Sequence, residues 1–352
     1  MSTNTADQAK KIRQGEELPQ EVLQDFLQKE LQLSGQLEVL QFPSGFSNLT
    51  YLLKLGDKEM VLRRPPFGAE NIMKGHDMGR EYKVLSLLQP YYDKAPKPLV
   101  YTEDKSIIGA PFYVMERVQG IILRANDKLD WEAGRIRQLN ENFIDNLADL
   151  HNLDIEKTGL VAMGKPEGYV QRQVEGWCKR YDNAKTDEIG DMDYVMDWFV
   201  LHIPETKHNA FIHNDYKYDN VVLNLDEPTQ IKAVLDWEMS TVGDQFTDFA
   251  TMLAYTPEKT DPEYLRSFNV VGEMNREDIL ARYEEKVGKK VDNVVFHYAF
   301  ALFKLGVIIQ QIYYRYHKGY TQDPRFASLI QLVKDCALLS ATAIRSGRIR
   351  GF

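Results

Sequence analysis

The sequence predicts an α+β chain of two lobes: an N-terminal lobe built on a five-stranded antiparallel sheet with one helix, then a mainly helical C-terminal lobe. Three observations carry that expectation. Before Val118 the apolar residues fall in short β-branched or aromatic runs separated by turn residues. After Gly120 they recur at helical spacing over long stretches. The chain has 352 residues, 43% apolar and 27% charged, which is ordinary for a core-forming protein and enough for two lobes.

The elements follow in order. "PQEVLQDFLQKELQL" has leucine and phenylalanine at helical spacing, so a helix leads into the sheet. "QLEVLQF", "NLTYLLKL" and "KEMVLRR" are three strands, parted by "PSGFS" and by the Gly-Asp turn signal in "GDKE". "KGHDMGREYKVLSLLQ" returns to helical spacing, and "KPLVYTED" and "APFYVMERV" complete the sheet near Val118. The expected division is therefore 1–118 and 119–352. In the second part "RIRQLNENFIDNLADLHNL", "DYVMDWFVLHI", "NREDILARYEEKV" and "VVFHYAFALFKLGVIIQQIYYRY" read as helices. Only "AFI", "VVLNL" and "IKAVLDW" read there as strands.

Composition narrows the function. A net charge of −9 argues against a general nucleic-acid binder, which needs a basic face. Two cysteines, Cys178 and Cys336, give neither a disulfide framework nor a zinc spacing, as expected in a reducing compartment. The polar N-terminus has no apolar core of a secretory signal, and no apolar run approaches the ~20 residues of a membrane span. The expectation is a cytoplasmic protein with no nucleic-acid or membrane partner. The sequence leaves its oligomeric state open.

One stretch carries chemistry. "FIHNDYKYDNVVLN" sets a histidine, two aspartates, a lysine and asparagines against an apolar strand. Folding "VVLNL" and "IKAVLDW" as a hairpin about Pro228 pairs Val221 with Leu235 and sets Asn220 opposite Asp236. Directly opposed residues have Cβ atoms ~5 Å apart. Asp215 lies on the loop feeding the first strand. An amide oxygen and a carboxylate that close suit a hard divalent cation such as Mg²⁺. A second carboxylate is available to take a proton from a hydroxyl. The alternative is that these residues merely cap loop ends.

"HNDYKYDN" and "LDWE" resemble the His-x-Asp-x-x-x-x-Asn catalytic loop and the metal-binding Asp of the protein-kinase-like fold. Their Asp-Tyr-Lys-x-Asp-Asn and Asp-Trp-Glu forms are similar to the aminoglycoside phosphotransferase and choline kinase branch. The resemblance implies an ATP- or GTP-dependent kinase with Mg²⁺, acting on a hydroxyl of a small molecule. It implies Asp215 as catalytic base, Asn220 and Asp236 as metal ligands, and Lys217 at the transferred phosphoryl group. It gives His213 a structural place in the loop.

Other residues test that implication. On the helix after β-strand "KEMVLRR", Glu81 falls on the apolar stripe of Met78, Leu85 and Leu88, and an inward carboxylate wants a cation. Arg63 stands where the fold places its lysine and is the expected partner, with Arg64 the alternative. An arginine there is a departure from the family pattern. Ser47 and Asn48, between the first two strands, are candidate phosphate donors, and Glu116 and Val118 are candidate backbone contacts to the base. Asp248, in "VGDQFTDFATML", is expected to anchor the catalytic loop. "GYVQRQVEGWCKRY" resembles a subgroup of kinase-like domains associated with acyl-CoA dehydrogenases. That subgroup implies a hydroxyacyl-CoA acceptor, and a CoA thioester would want cations such as Arg172, Lys179 or Arg180 near it. The same segment also reads as a plain amphipathic helix. A nucleotide-binding scaffold without catalysis, and a hydroxyacyl-CoA kinase rather than an antibiotic kinase, are the alternative functions.

Overall fold

In the computed structural model, residues 8–351 are described except 44–47, 70–75, 125–126, 128, 206, 259–260, 262–265 and 267–271. Ser47 therefore lies outside the described residues. The chain forms two compact units. The first comprises Met1–Leu123, Glu156–Leu160 and Tyr218–Ser240, and the second Arg124–Ile155, Val161–Lys217 and Thr241–Phe352.

The first unit contains helix α1 (Gln20–Leu31) and strands β1 (Leu37–Gln41), β2 (Leu49–Leu55) and β3 (Lys58–Arg64). Helix α2 (Met78–Leu88), β4 (Pro98–Thr102), α3 (Lys105–Ile108) and β5 (Phe112–Glu116) follow. The five strands are ordered β1-β2-β3-β5-β4 and every pair is antiparallel. The one-turn helix α3 is an element that the sequence reading lacked. Asp104 caps it through Ser106 N–H, and four residues are too few for a periodicity signal.

Alternation along β3 decides what its two arginines do. Met60 and Leu62 join the core that buries Leu23 and Leu27 of α1 together with Tyr51, Leu53 and Val114. Arg64 shares that face, and its guanidinium is fully buried, donating to the carbonyls of Pro65 and Ile108 and lying over the Phe67 ring. Arg63 points to the opposite face, toward α2. Each fully buried leucine of α1 contributes roughly 1.5–3 kcal/mol, so Leu27→Asp would detach this helix from the sheet.

The hairpin of β7 (Val221–Leu223) and β8 (Ile231–Val234) belongs to the first unit as well. A reading of residues 119–352 as one lobe misplaces it. The reason is backbone pairing: Ile121 bridges Leu223 in both directions, and Val234 N–H donates to Lys94 O. The register also differs by one from the sequence expectation. Val221 pairs with Val234, not Leu235: Asn224 N–H donates to Gln230 O, so the turn is centred on Glu227 rather than Pro228, and the ladder shift between Val222 and Leu223 makes up only half of the difference. Leu235 N–H consequently donates to Asn220 O at 2.8 Å, and Asp236 is the next residue along.

The second unit holds α4 (Ala133–His151), α5 (Tyr169–Ala184), α6 (Gly190–Leu201), β6 (Asn209–Ile212) and β9 (Thr241–Asp244). Helices α7 (Gln245–Ala254), α8 (Arg276–Val287), α9 (Val294–His317) and α10 (Leu329–Ser346) complete it. β9 pairs antiparallel with β6, a partner hidden in the sequence because "TVGD" has no alternating apolar run. α9 is a 24-residue helix, long and apolar enough to cross a bilayer, as is the stretch Pro324–Ser346. The expectation of no such run was too strict. Two-thirds of the apolar stretch of α9 is buried, and Phe296, Phe300 and Phe303 pack round Phe199 of α6.

Candidate active site

In the first unit the site centres on Arg63. Its side chain is 8% exposed and touches three carboxylates. Nη1 donates to Glu81 Oε1 at 2.5 Å, and Nη2 donates to Asp236 Oδ1 at 2.9 Å and to Glu238 Oε2 at 3.3 Å. The pairing of Arg63 with Glu81 expected from the sequence is therefore present. Burial alone would favour the neutral guanidine, but the Glu81 and Asp236 carboxylates raise the Arg63 pKa well above its ordinary value. Arg63 stays a cation.

Asp236 follows β8 in the left-handed region, at φ 66° and ψ 64°. A non-glycine residue pays strain there, and such strain recurs at functional sites. The turn that follows is tied back by Trp237 N–H, which donates to Glu81 Oε1 at 3.2 Å. Burial first, and then the charge of Glu81, push the Tyr113 hydroxyl well above its usual pKa, so it stays protonated.

Asn48 is 1% exposed and its amide is engaged on both sides. Nδ2 donates to Glu238 Oε2 at 2.6 Å, and Oδ1 accepts from His76 Nδ1 at 2.8 Å. Its side chain therefore braces Glu238. Glu116 N–H donates to Lys97 O at 2.9 Å, which leaves its N–H committed within the unit. Val118 lies half-buried just beyond β5.

Asn220 closes a short 3₁₀ turn and is 9% exposed, while the Asp236 side chain is 33% exposed. The backbone bond from Leu235 to Asn220 brings the two within one residue of each other across the hairpin. Both offer hard oxygen donors, as Mg²⁺ prefers alongside waters and substrate phosphates. Asp236 shares Nη2 of Arg63 with Glu238, and its side chain is a third exposed, so its carboxylate is accessible to such an ion. The residues fit such an ion.

In the second unit the loop after β6 is held by one carboxylate. Asp248, in the first turn of α7 and fully buried, accepts from His213 N–H at 2.8 Å and from Asn214 N–H at 2.7 Å. Its other neighbour is His151 Nε2 at 3.1 Å, and His151 Nδ1 meets Tyr283 Oη at 2.7 Å. Burial opposes the charge on Asp248, but His151 and the backbone N–H of His213 hold its pKa below the ordinary carboxylate value.

Asn214 is left-handed, φ 66°, with Oδ1 accepting from Tyr169 Oη at 3.0 Å. The His213 ring is buried and Nδ1 accepts from Asp215 N–H at 3.3 Å, a structural use. Tyr216 Oη donates to Phe143 O at 2.9 Å and accepts from Asn146 Nδ2 at 2.8 Å. Between these anchors Asp215 projects a carboxylate 27% exposed, with Lys217 Nζ 3.1 Å from its Oδ2.

The profile of a family described as phosphotransferase enzyme family matches residues 38–284. The chain belongs to that family. Phosphotransferases of this family are small-molecule kinases, and the kinase-like fold agrees. A Ralstonia eutropha structure assigned to the aminoglycoside phosphotransferases is 27% identical, with a TM-score of 0.82 over 94% of this chain and 99% of that one. APH(2″)-IIIa, solved with GDP and kanamycin, shares the fold at 15% identity, with a TM-score of 0.63 over 89% of this chain and 97% of that one.

Mouse acyl-CoA dehydrogenase family member 10 is 34% identical over 313 residues, 86% of this chain and 29% of its own length. Rat acyl-CoA dehydrogenase family member 11 is 36% identical over 290 residues, 80% of this chain and 37% of its own length. The phosphotransferase chain thus spans about a third of those relatives.

Sequence reasoning missed Glu238, His76 and His151. Glu238 stood in plain view in "LDWE", but nothing in its spacing ties it to Arg63. His151 ends an ordinary amphipathic helix, and only folding brings it to Asp248.

Proposed function

We propose that this phosphotransferase moves the γ-phosphate of ATP, or of GTP, to a hydroxyl of a small molecule in a Mg²⁺-dependent reaction. The observation that carries the reading is Arg63 joined at once to Glu81 and Asp236. A strand-borne cation tied to a helix carboxylate is what a kinase needs beside the nucleotide phosphates.

In this reading Asp215 takes the proton of the acceptor hydroxyl as its oxygen attacks the γ-phosphorus. The bond to the bridging oxygen breaks, and the nucleoside diphosphate leaves. Asp248 fixes the backbone of His213 and Asn214, so Asp215 is presented in one geometry. Lys217, poised beside Asp215, neutralises charge on the phosphoryl group in flight. Asn220 and Asp236 would hold Mg²⁺, which would supply charge neutralisation to the phosphates when bound. Nη2 of Arg63, which donates to Asp236, is the atom that would reach a phosphate oxygen. Ser47, Asn48, Glu116 and Val118 are proposed to line the nucleotide site, Asn48 through its hold on Glu238.

A CoA thioester carrying a hydroxyl is favoured over an antibiotic by the relatives' names, which join this region to acyl-CoA dehydrogenases. The test is nucleotide consumption across hydroxyacyl-CoAs, sugars, amines and aminoglycosides, with Asp215→Ala alongside. We expect one acceptor class to raise turnover, EDTA to abolish it, and Asp215→Ala to lower it by roughly 10²–10⁴-fold. Nucleotide binding without turnover on any acceptor would instead indicate a silent scaffold.

A further inference from the structure

The second unit contains a buried cation that the proposed chemistry leaves unused. Lys304, on α9, is 8% exposed. Its Nζ lies 5.6 Å from the centre of the Trp177 ring of α5. Among the described residues it has neither a hydrogen-bond acceptor nor a carboxylate within ion-pair distance. An ammonium buried in that state is costly. Arg180 lies over the same ring, 4.6 Å from its centre, and it too has no carboxylate partner among the described residues. Two cations thus share one aromatic ring without an anion between them, a like-charge arrangement that an anion would relieve.

The cluster is built rather than incidental. Trp177 is 9% exposed and its Nε1 donates to Gln173 Oε1 at 3.2 Å. α5 is anchored at its start, where Tyr169 meets Asn214 of the catalytic loop. Trp177 stands eight residues further on, about 12 Å along the axis. Burial lowers the Lys304 pKa, and the carboxylates opposing that shift most are Asp248 and Asp215, the loop anchor and the proposed base.

We propose that Arg180 and Lys304, gathered on Trp177, form a subsite for an anionic group on the phosphate acceptor. The inference rests on the phosphotransferase reading above and narrows its substrate class. The acceptor carries a hydroxyl at one end and, several bonds away, a carboxylate or a phosphate ester. Polycationic acceptors are rejected by the same two charges. The anion has two chemical sources, the carboxylate of a free hydroxy acid or the phosphates of its CoA thioester.

The test measures phosphate transfer from Mg-ATP by the full chain to a hydroxy fatty acid, its CoA thioester, its neutral methyl ester and kanamycin. Lys304→Met, Lys304→Arg and Arg180→Met are compared with the unaltered chain. We expect the acid or the thioester to be the preferred acceptor. Lys304→Met should raise its KM roughly tenfold or more, as for a lost charge-assisted hydrogen bond, with kcat little changed. Lys304→Arg should recover most of that loss, which mere packing at Lys304 would not produce. Exposed Arg180→Met should act in the same direction and leave the fold intact.

Preference for the acid assigns the anion to a carboxylate. Preference for the thioester, with competitive inhibition by coenzyme A, assigns it to phosphate. Kanamycin or the methyl ester as best acceptor, or a KM unmoved in both methionine variants, overturns the subsite. Should no acceptor turn over, the phosphotransferase reading fails separately, and calorimetry with coenzyme A and the free acid decides the subsite. Binding weakened in Arg180→Met supports it, and absent or equal binding overturns it.

Discussion

Two buried charges organise the two units, and they do so in opposite ways. Asp248 in the second unit is a single anion inside a closed set of donors: two backbone N–H groups and His151, itself backed by Tyr283. Arg63 in the first unit is a single cation facing three carboxylates, one of them a third exposed. The first network is complete and holds a loop still. The second shares one guanidinium among three carboxylates and is open on one side, which in the proposed function suits a group whose partners change as nucleotide and ion bind. In the proposed function, rigid positioning and exchangeable charge are separate tasks carried by separate clusters.

The largest effect should come from breaking the closed network. Asp248→Ala leaves the N–H groups of His213 and Asn214 buried without an acceptor and His151 without its partner. A loss of about 3–5 kcal/mol is expected, read as a shift in the denaturant midpoint at constant slope. A change below ~1 kcal/mol would mean that the loop is held by something else.

Arg63→Met comes next. It strands Glu81, buried to 1%, and should lose nucleotide binding together with about 3 kcal/mol of stability. Arg63→Lys keeps one point charge for three carboxylates and should fall in between. The double variant Arg63→Met/Glu81→Leu should cost less than the sum of its parts, because no charge is then left alone. Strict additivity by chemical denaturation would contradict the pairing.

The two buried charges also separate on the pH axis. The Asp248 pKa is lowered in the folded state, so its contribution is complete above the unfolded value of about 3.9 and vanishes as pH falls through the lower folded value. The Arg63 pKa is raised, so its contribution is complete below the ordinary arginine value and fades only in strong alkali. Acid unfolding should therefore report Asp248 and not Arg63. Asp248→Asn should flatten the acid limb of stability against pH.

How much of this was legible in the sequence follows the same division. The five strands and the Arg63–Glu81 pair were readable because period-two and helical alternation fix which side chains face inward. The anchoring role of Asp248 was readable only through family resemblance. The hairpin register was not, since the turn closes about Glu227 rather than Pro228 and a bulge then shifts the ladder between Val222 and Leu223, and no residue type announces either. Nor was Glu238: its meeting with Arg63 joins positions 175 residues apart through a left-handed turn at Asp236.

That missed residue gives the finest test of the contrast. Glu238 accepts from Asn48 at 2.6 Å and from Arg63 at 3.3 Å, and its side chain is 15% exposed. Glu238→Gln keeps the shape and removes one of the three negative charges. In a closed network such a loss would be severe. In a network where carboxylates share one guanidinium it removes repulsion among them as well as attraction to Arg63, so stability should move by less than ~1 kcal/mol. One negative charge that would favour a divalent ion is lost at the same time, so the Mg²⁺ concentration for half-maximal turnover should rise several-fold, by roughly the factor that ~1 kcal/mol represents. Thermal melts and a magnesium titration on one preparation distinguish the outcomes. A large stability loss with an unchanged magnesium requirement would make Glu238 a structural brace and the first unit's cluster as closed as the second's.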